Sequence, residues 1–128
     1  MKLMPERIIQ RARGFAPDIY FILPFDTKKQ FNIKKGCKVE CTLVKALDSD
    51  GNIIQEINRK VTCEVKVRDG WIYVPPKIIQ ELNLPGREYY EITIEKLITP
   101  DGAKVEIYPN EMVEKEAKIP IKQLPMKK

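Results

Sequence analysis

The chain contains no histidine, and Ser49 is its only serine. Ser–His and Cys–His catalysis are thereby excluded within this chain, as is a histidine-ligated zinc or iron site. Cysteine is scarce. Cys37, Cys41 and Cys63 include no C-x-x-C pair and fall short of the four ligands a structural zinc takes. They read as small core or strand residues. A Cys41–Cys63 disulfide is the alternative, favoured in a hyperthermophilic source, toward which the richness in Lys, Glu and Ile leans. No apolar run approaches the ~20 residues of a membrane helix. Residues 1–6 carry no apolar core of the signal-peptide kind, so an intracellular, cytoplasmic protein is expected, with use by a virus inside its host left open.

What is present is a chain of 128 residues, 43% apolar and 32% charged, as suits one ordinary folded domain. The net charge is +5. Residues 1–47 hold ten bases and four acids, and residues 48–128 hold thirteen bases and fourteen acids. The excess is therefore confined to the first part. A solvated surface needs mixed charge, not this segregation, which points to a polyanionic partner.

Two stretches look alike. Ile19-Tyr20-Phe21-Ile22-Leu23-Pro24 is followed by Phe31-Asn32-Ile33-Lys34-Lys35-Gly36, and Trp71-Ile72-Tyr73-Val74-Pro75 by Leu82-Asn83-Leu84-Pro85-Gly86. The prolines are 51 positions apart and the glycines 50, which implies one residue of slip near Lys34-Lys35. Each copy reads as hairpin, helical turn, hairpin. In the second, residues 61–67 alternate apolar and polar, Asp69-Gly70 turns the chain, and residues 71–74 return. Pro76 opens a helix with Ile78, Ile79 and Leu82 on one face, and residues 87–97 and 104–108 form the closing hairpin.

In the first copy Asp26 is expected to cap a turn through Phe31, with strands at 38–47 and 52–57. Residues 7–13 suit either a helix or a strand paired with 18–23, and the repeat favours the strand. Residues 58–60 join the copies. Asn110 is expected to cap a helix over 111–118, followed by an extended strap or a disordered end.

The second copy resembles the AbrB/MazE/SpoVT swapped-hairpin family over residues 61–109, through the run Val65-Lys66-Val67-Arg68-Asp69-Gly70-Trp71-Ile72-Tyr73-Val74-Pro75-Pro76 and the Leu82-Asn83-Leu84-Pro85-Gly86 step. The first copy resembles it more weakly over 7–57. The resemblance implies a mainly-β barrel of two interleaved hairpin–helix–hairpin repeats spanning 1–109, with 110–128 as a tail. One chain would thus hold an internal pseudo-dimer, and pairing of two such barrels into a homodimer stays open. It also implies a DNA-binding transcription regulator. The family's basic pair on the helix falls on Lys28-Lys29 in the first copy and on Ile79-Gln80 in the second. Its basic strand residue falls on Arg13 and on Glu64. Where the family often places a basic residue after the turn glycine, this chain has Tyr20 and Trp71.

The expected partner is double-stranded DNA, met by Arg7, Arg11, Arg13, Lys28 and Lys29, with Lys34 and Lys35 at the margin. Lysines neutralise phosphates, and Arg11 and Arg13 suit guanine edges. For any single lysine a solvated sheet face is explanation enough; the cluster carries the expectation. The alternative is a protein-interaction module, antitoxin-like, whose tail lays Ile119, Ile121 and Leu124 along a partner or straps onto its own barrel. An enzyme is not expected. Asp48-Ser49-Asp50-Gly51 lacks the ligand positions of a calcium loop and reads as a hairpin turn, and Glu88, Glu91 and Glu95 have no base partner. No cofactor, metal or membrane contact is expected. Trp71, Tyr73, Tyr89 and Tyr90 suit either base stacking or sheet packing.

Overall fold

The computed structural model of the chain describes residues 6–15, 17–107 and 113–117. Its elements are β1 (Glu6–Arg11), β2 (Arg13–Phe15), β3 (Asp18–Ile22), α1 (Phe25–Gln30), β4 (Lys38–Leu47), β5 (Ile53–Val65), β6 (Trp71–Tyr73), α2 (Pro76–Leu82), β7 (Tyr89–Ile98), β8 (Lys104–Glu106) and β9 (Val113–Ala117). The fold is mainly β, a curled, barrel-like sheet in the order β2-β3-β6-β5-β4-β7-β1-β9, with β8 on β7. Only Ala12 separates β1 from β2, so one bent run of chain supplies β2 at one end of this path and β1 next to β9 at the other. The Ala12 N–H donates to the Glu88 carbonyl at 2.8 Å. The Gln10 side chain donates to the Ile22 carbonyl at 2.8 Å and accepts the Ile22 N–H at 2.7 Å, so neither peptide group of Ile22 is left orphaned at the bend.

Strand alternation builds the core. Val39, Cys41 and Leu43 on β4, Val61, Cys63 and Val65 on β5, and Tyr90, Ile92 and Ile94 on β7 all point inward and are buried. Ile33, Ile79 and Leu84 close it from the helical turns. A fully buried Ile or Leu contributes about 1.5–3 kcal/mol, and this cluster draws on both repeats.

The repeats are related by an internal twofold. Thr42 pairs with Thr93 across β4 and β7, and Phe21 with Ile72 across β3 and β6, each pair joining positions 51 apart. The register mirrors about them: Leu43↔Ile92 answers Cys41↔Ile94, and Leu47↔Tyr89 answers Lys38↔Ile98. Each strand also carries one unpaired residue, Val44 and Glu95, again at equivalent positions. Each helix follows a proline, Pro24 or Pro75, and leads into a left-handed asparagine, Asn32 (φ 53°) just past the Phe31 cap or Asn83 (φ 52°) at the cap itself. The next N–H then reaches back into the last turn, Ile33 to Lys28 at 2.9 Å and Leu84 to Ile79 at 3.0 Å, a closure asparagine tolerates well.

Several expectations are corrected. Residues 7–13 do not pair with 18–23 along their length: β1 lies antiparallel to β7, and only β2 pairs with β3. Residues 58–60 are not a joint but lie inside the 13-residue β5, where Asn58 (φ 49°) takes up the irregularity. The expected slip near Lys34-Lys35 does not occur, because the left-handed Gly36 (φ 97°) is matched by Arg87 (φ 64°), not by Gly86. Pro24, not Asp26, precedes α1, and the Asp26 carboxylate accepts the Thr27 N–H at 3.0 Å.

Residues 113–117, expected within a helix, form β9, parallel to β1 from Glu6↔Val113 to Ile9↔Ala117. Good helix formers yield here because β1 offers unpaired backbone along its outer edge. Asn110, Ile119, Ile121 and Leu124 lie outside the described residues. The three cysteines are buried as free thiols, with Cys41 Sγ and Cys63 Sγ 3.6 Å apart. The Cys63 contact and burial push the Cys41 thiol well above the usual range. Among the described residues no helix is long and apolar enough to cross a membrane.

Candidate nucleic-acid interface

Phe21 and Ile72 point into the core at the twofold, so their neighbours on β3 and β6 face outward. Tyr20 stands directly opposite Tyr73 and diagonal to Trp71. The three rings pile up. Trp71 and Tyr20 are 4.5 Å apart at 19°, and Tyr20 and Tyr73 are 4.8 Å apart at 26°. Trp71 and Tyr20 are themselves twofold equivalents. Each end of the pile carries a cation: the Lys66 ammonium is 5.0 Å from the Tyr73 centroid, and the Arg68 guanidinium is 5.5 Å from that of Trp71. Each stacked pair is worth about 0.5–1.5 kcal/mol and each exposed cation–ring contact about 0.5–1 kcal/mol, enough to hold two long side chains in place. Partial burial, with Tyr20 and Asp18 nearby, raises the Tyr73 hydroxyl above the ordinary phenol range.

Arg13 pairs with Tyr20 across β2 and β3 and therefore shares its face. The corresponding residue of the second repeat is Lys66, whose N–H donates to the Trp71 carbonyl at 3.2 Å. The alignment of Arg13 with Glu64 is thus corrected: Arg11 opposes Tyr89 just as Glu64 opposes Lys38, and Lys66 stands in the place of Arg13. The second hairpin runs five positions from Lys66 to Trp71 where the first runs seven from Arg13 to Tyr20, which shifts the first strand of the hairpin out of the 51-residue register. The second repeat therefore keeps a cation at this position.

Helix α1 packs beside the β5–β6 hairpin. The Leu23 N–H donates to the Gly70 carbonyl at 2.9 Å, and the Lys35 N–H to the Asp69 carboxylate at 2.8 Å. A Cβ on Gly70 would lie 2.7 Å from Lys28 Cδ, so glycine is what lets the lysine stem rest on the hairpin. Between them lies an open concavity of about 600 Å³ lined by Phe25, Lys28, Lys35, Val67, Arg68 and Trp71. On the other side of the ring pile, Arg11, Arg13, Tyr20 and Arg87 line a second hollow of about 390 Å³.

The structure thus brings Arg11, Arg13, Lys28 and Lys35 to one continuous face. Lys29 stands at its margin, 6.0 Å from the Phe25 ring, and Lys34 is exposed in the loop after α1. Arg11 spends its Nε–H on the Arg87 carbonyl at 2.9 Å. Arg7 does not join them. Its Nε is 2.7 Å from Glu91 Oε2 and its side chain is only 12% exposed. Lys66 and Arg68 were missed from sequence because the 51-residue register was carried through a shortened hairpin, and Arg87 because it was read only as the start of a strand. Among the described residues no cluster of three metal-ligating side chains occurs. No protein-family model, curated protein or solved structure matches the chain.

Proposed function

We propose that the protein binds double-stranded DNA through this face, as a transcription regulator of the swapped-hairpin kind in which both repeats share one barrel. The observation that carries the reading is the row Lys66–Tyr73–Tyr20–Trp71–Arg68, flanked by Arg13 on one side and by Lys28 and Lys35 on the other. Cations held in a row neutralise successive phosphates and release counterions, which supplies most of the affinity of a non-specific complex. The rings favour a duplex over a single strand. Both faces of Tyr20 are taken by other rings, and Trp71 and Tyr73 carry cations, so no stacking platform is left for splayed bases. Arg13 is the side chain of this face suited to a guanine edge. Arg7 is not part of this face.

The test is electrophoretic shift of random duplex over a salt series. Arg13→Ala/Lys66→Ala/Arg68→Ala is compared with Lys77→Ala/Lys96→Ala/Lys104→Ala, which removes the same charge elsewhere. The first set is expected to flatten the salt slope by about 2–3 units of log K per log salt, and the second to leave it nearly unchanged. Equal losses would reduce the reading to bulk attraction. Absence of duplex binding by the parent at low salt would remove it.

A further inference from the structure

Two of the most exposed apolar side chains stand in the middle of the cationic face. Phe25 is 68% exposed at the start of α1, and Val67 is 59% exposed at the tip of the β5–β6 hairpin. Both line the larger concavity. They are ringed by charge: the ammonium groups of Lys28 and Lys29 lie 5.3 and 6.0 Å from the Phe25 ring, and Val67 sits between Lys66 and Arg68 in the chain.

Val67 is also strained. Its φ is 73°, a left-handed backbone that a β-branched residue adopts only under strain. The first repeat shows what an unstrained solution looks like. Gly14 follows Arg13 as Val67 follows Lys66, and it has nearly the same conformation, φ 79°. Glycine would fit this backbone without strain, and the valine side chain is not spent on the core, since more than half of it is exposed. The remaining use for the side chain is outside the molecule.

A partner for such a surface presents anionic walls around an apolar floor. A duplex groove has this form, with phosphates along both edges and base edges and steps between. We infer that Phe25 and Val67 form an apolar wedge that enters the minor groove between the phosphates held by Lys28, Lys66 and Arg68, and bends the duplex there. The inference rests on the duplex-binding reading and adds to it a deformation step. A bilayer also has phosphates over an apolar interior, but two side chains bury too little area for stable membrane attachment, which scales with that area.

The test uses the whole chain and a short duplex labelled at both ends, with binding followed by anisotropy and bending by end-to-end energy transfer. The parent is expected to bend the duplex by about 20–90°. Phe25→Ser/Val67→Gly is expected to lose about ten-fold in affinity and most of the bend. Because it removes no charge, its salt slope should match the parent's. Val67→Gly alone relieves the strain without a core change, so it serves as the folded control and should still lose several-fold in affinity.

If the parent binds but does not bend, or if the variants bind and bend as the parent does, the wedge is overturned and the duplex reading stands. If the parent binds no duplex at low salt, both fall. Tighter binding to vesicles of equal phosphatidylserine and phosphatidylcholine than to duplex, lost in the same variants, would also overturn the groove in favour of a lipid surface.

Discussion

The two repeats have nearly the same backbone and place different chemistry on it. Equivalent strands β4 and β7 pair about Thr42 and Thr93, and both helices lead into a left-handed asparagine. On that shared frame the first repeat puts Lys28 and Lys29 on its helix, where the second has Ile79, buried, and Gln80. The second repeat in turn supplies Trp71, Tyr73, Lys66 and Arg68 at the hairpin, where the first supplies Tyr20 and Arg13. The difference teaches that the cationic face does not belong to one repeat. It forms where the β2–β3 hairpin of one meets the β5–β6 hairpin of the other, so the charge bias of residues 1–47 is only part of it.

The largest test of the comparison is to separate the repeats. Residues 1–59 and 60–128 expressed apart are each expected to show no cooperative thermal transition by circular dichroism. The cut divides β5, and it leaves β4 without β7 and β3 without β6. A half of this size buries too little to offset its ordering entropy. Two cooperative, monomeric melts would show that the twofold joins finished units and would defeat the internal pseudo-dimer.

A smaller effect separates two cations that occupy corresponding places, Arg7 opposite Thr93 and Lys60 opposite Thr42. Arg7 is bound to Glu91 at 2.7 Å with both side chains largely shielded, whereas Lys60 reaches Glu95 at 3.2 Å from a side chain 58% exposed. Removing one partner of a buried pair strands the other charge, so Arg7→Ala is expected to cost about 3 kcal/mol in urea unfolding. Lys45, 3.8 Å from the second Glu91 oxygen, keeps the loss from being larger. Lys60→Ala should cost less than about 1 kcal/mol. A negligible loss in the first would mean that Glu91 finds enough support without Arg7. Duplex binding should weaken little in either, since neither side chain lines the cationic hollows.

Which features could be read from sequence follows from the range of the interactions that decide them. The repeat, a helical turn in each copy and the hairpin turns were legible because each is decided within a few residues, though the first helix was expected to start from Asp26 rather than Pro24. Pro75 and Pro76 set their own backbone, and Asp50-Gly51 and Asp101-Gly102 announce their turns. What was not legible depends on distant partners. Nothing within residues 7–13 says that Ile8 and Ile9 will pair with β7, or that Ala12 will bend the run toward β3. Nothing within 113–117 says that β1 will offer an edge. The site followed the same rule. Arg13, Lys28 and Lys35, singled out by local charge, do lie on the face proposed as the site, but Arg7 is held apart by Glu91, 84 positions away, and Lys66 and Arg68 were hidden by a hairpin two residues shorter between corresponding positions.

The smallest expected effect compares the two closing turns, each organised by one aspartate. In the first, the Asp48 carboxylate accepts the Asn52 and Asp50 N–H groups, both at 2.9 Å. In the second, Asp101 accepts the Thr99 hydroxyl and the Ala103 N–H. These bonds hold both carboxyls below the usual carboxylate value of 3.8, through the Asn52 N–H first for Asp48 and the Thr99 hydroxyl first for Asp101. A depressed folded value means that the unfolded chain takes up the proton first. The stabilisation is therefore complete above the unfolded value and is lost as pH falls from there through the folded one. Both carboxyls are open to solvent, so the effect is small. Asp48→Asn and Asp101→Asn should each lower the melting temperature slightly near pH 6, and that difference from the parent should shrink toward zero as the pH falls from 3.8 through the depressed folded value. Thr99→Val should shrink the Asp101 difference and leave that of Asp48 unchanged. A deficit that stays constant across the acid range would assign the loss to turn geometry rather than charge, and would remove the titrating aspartate as the feature the two turns have in common.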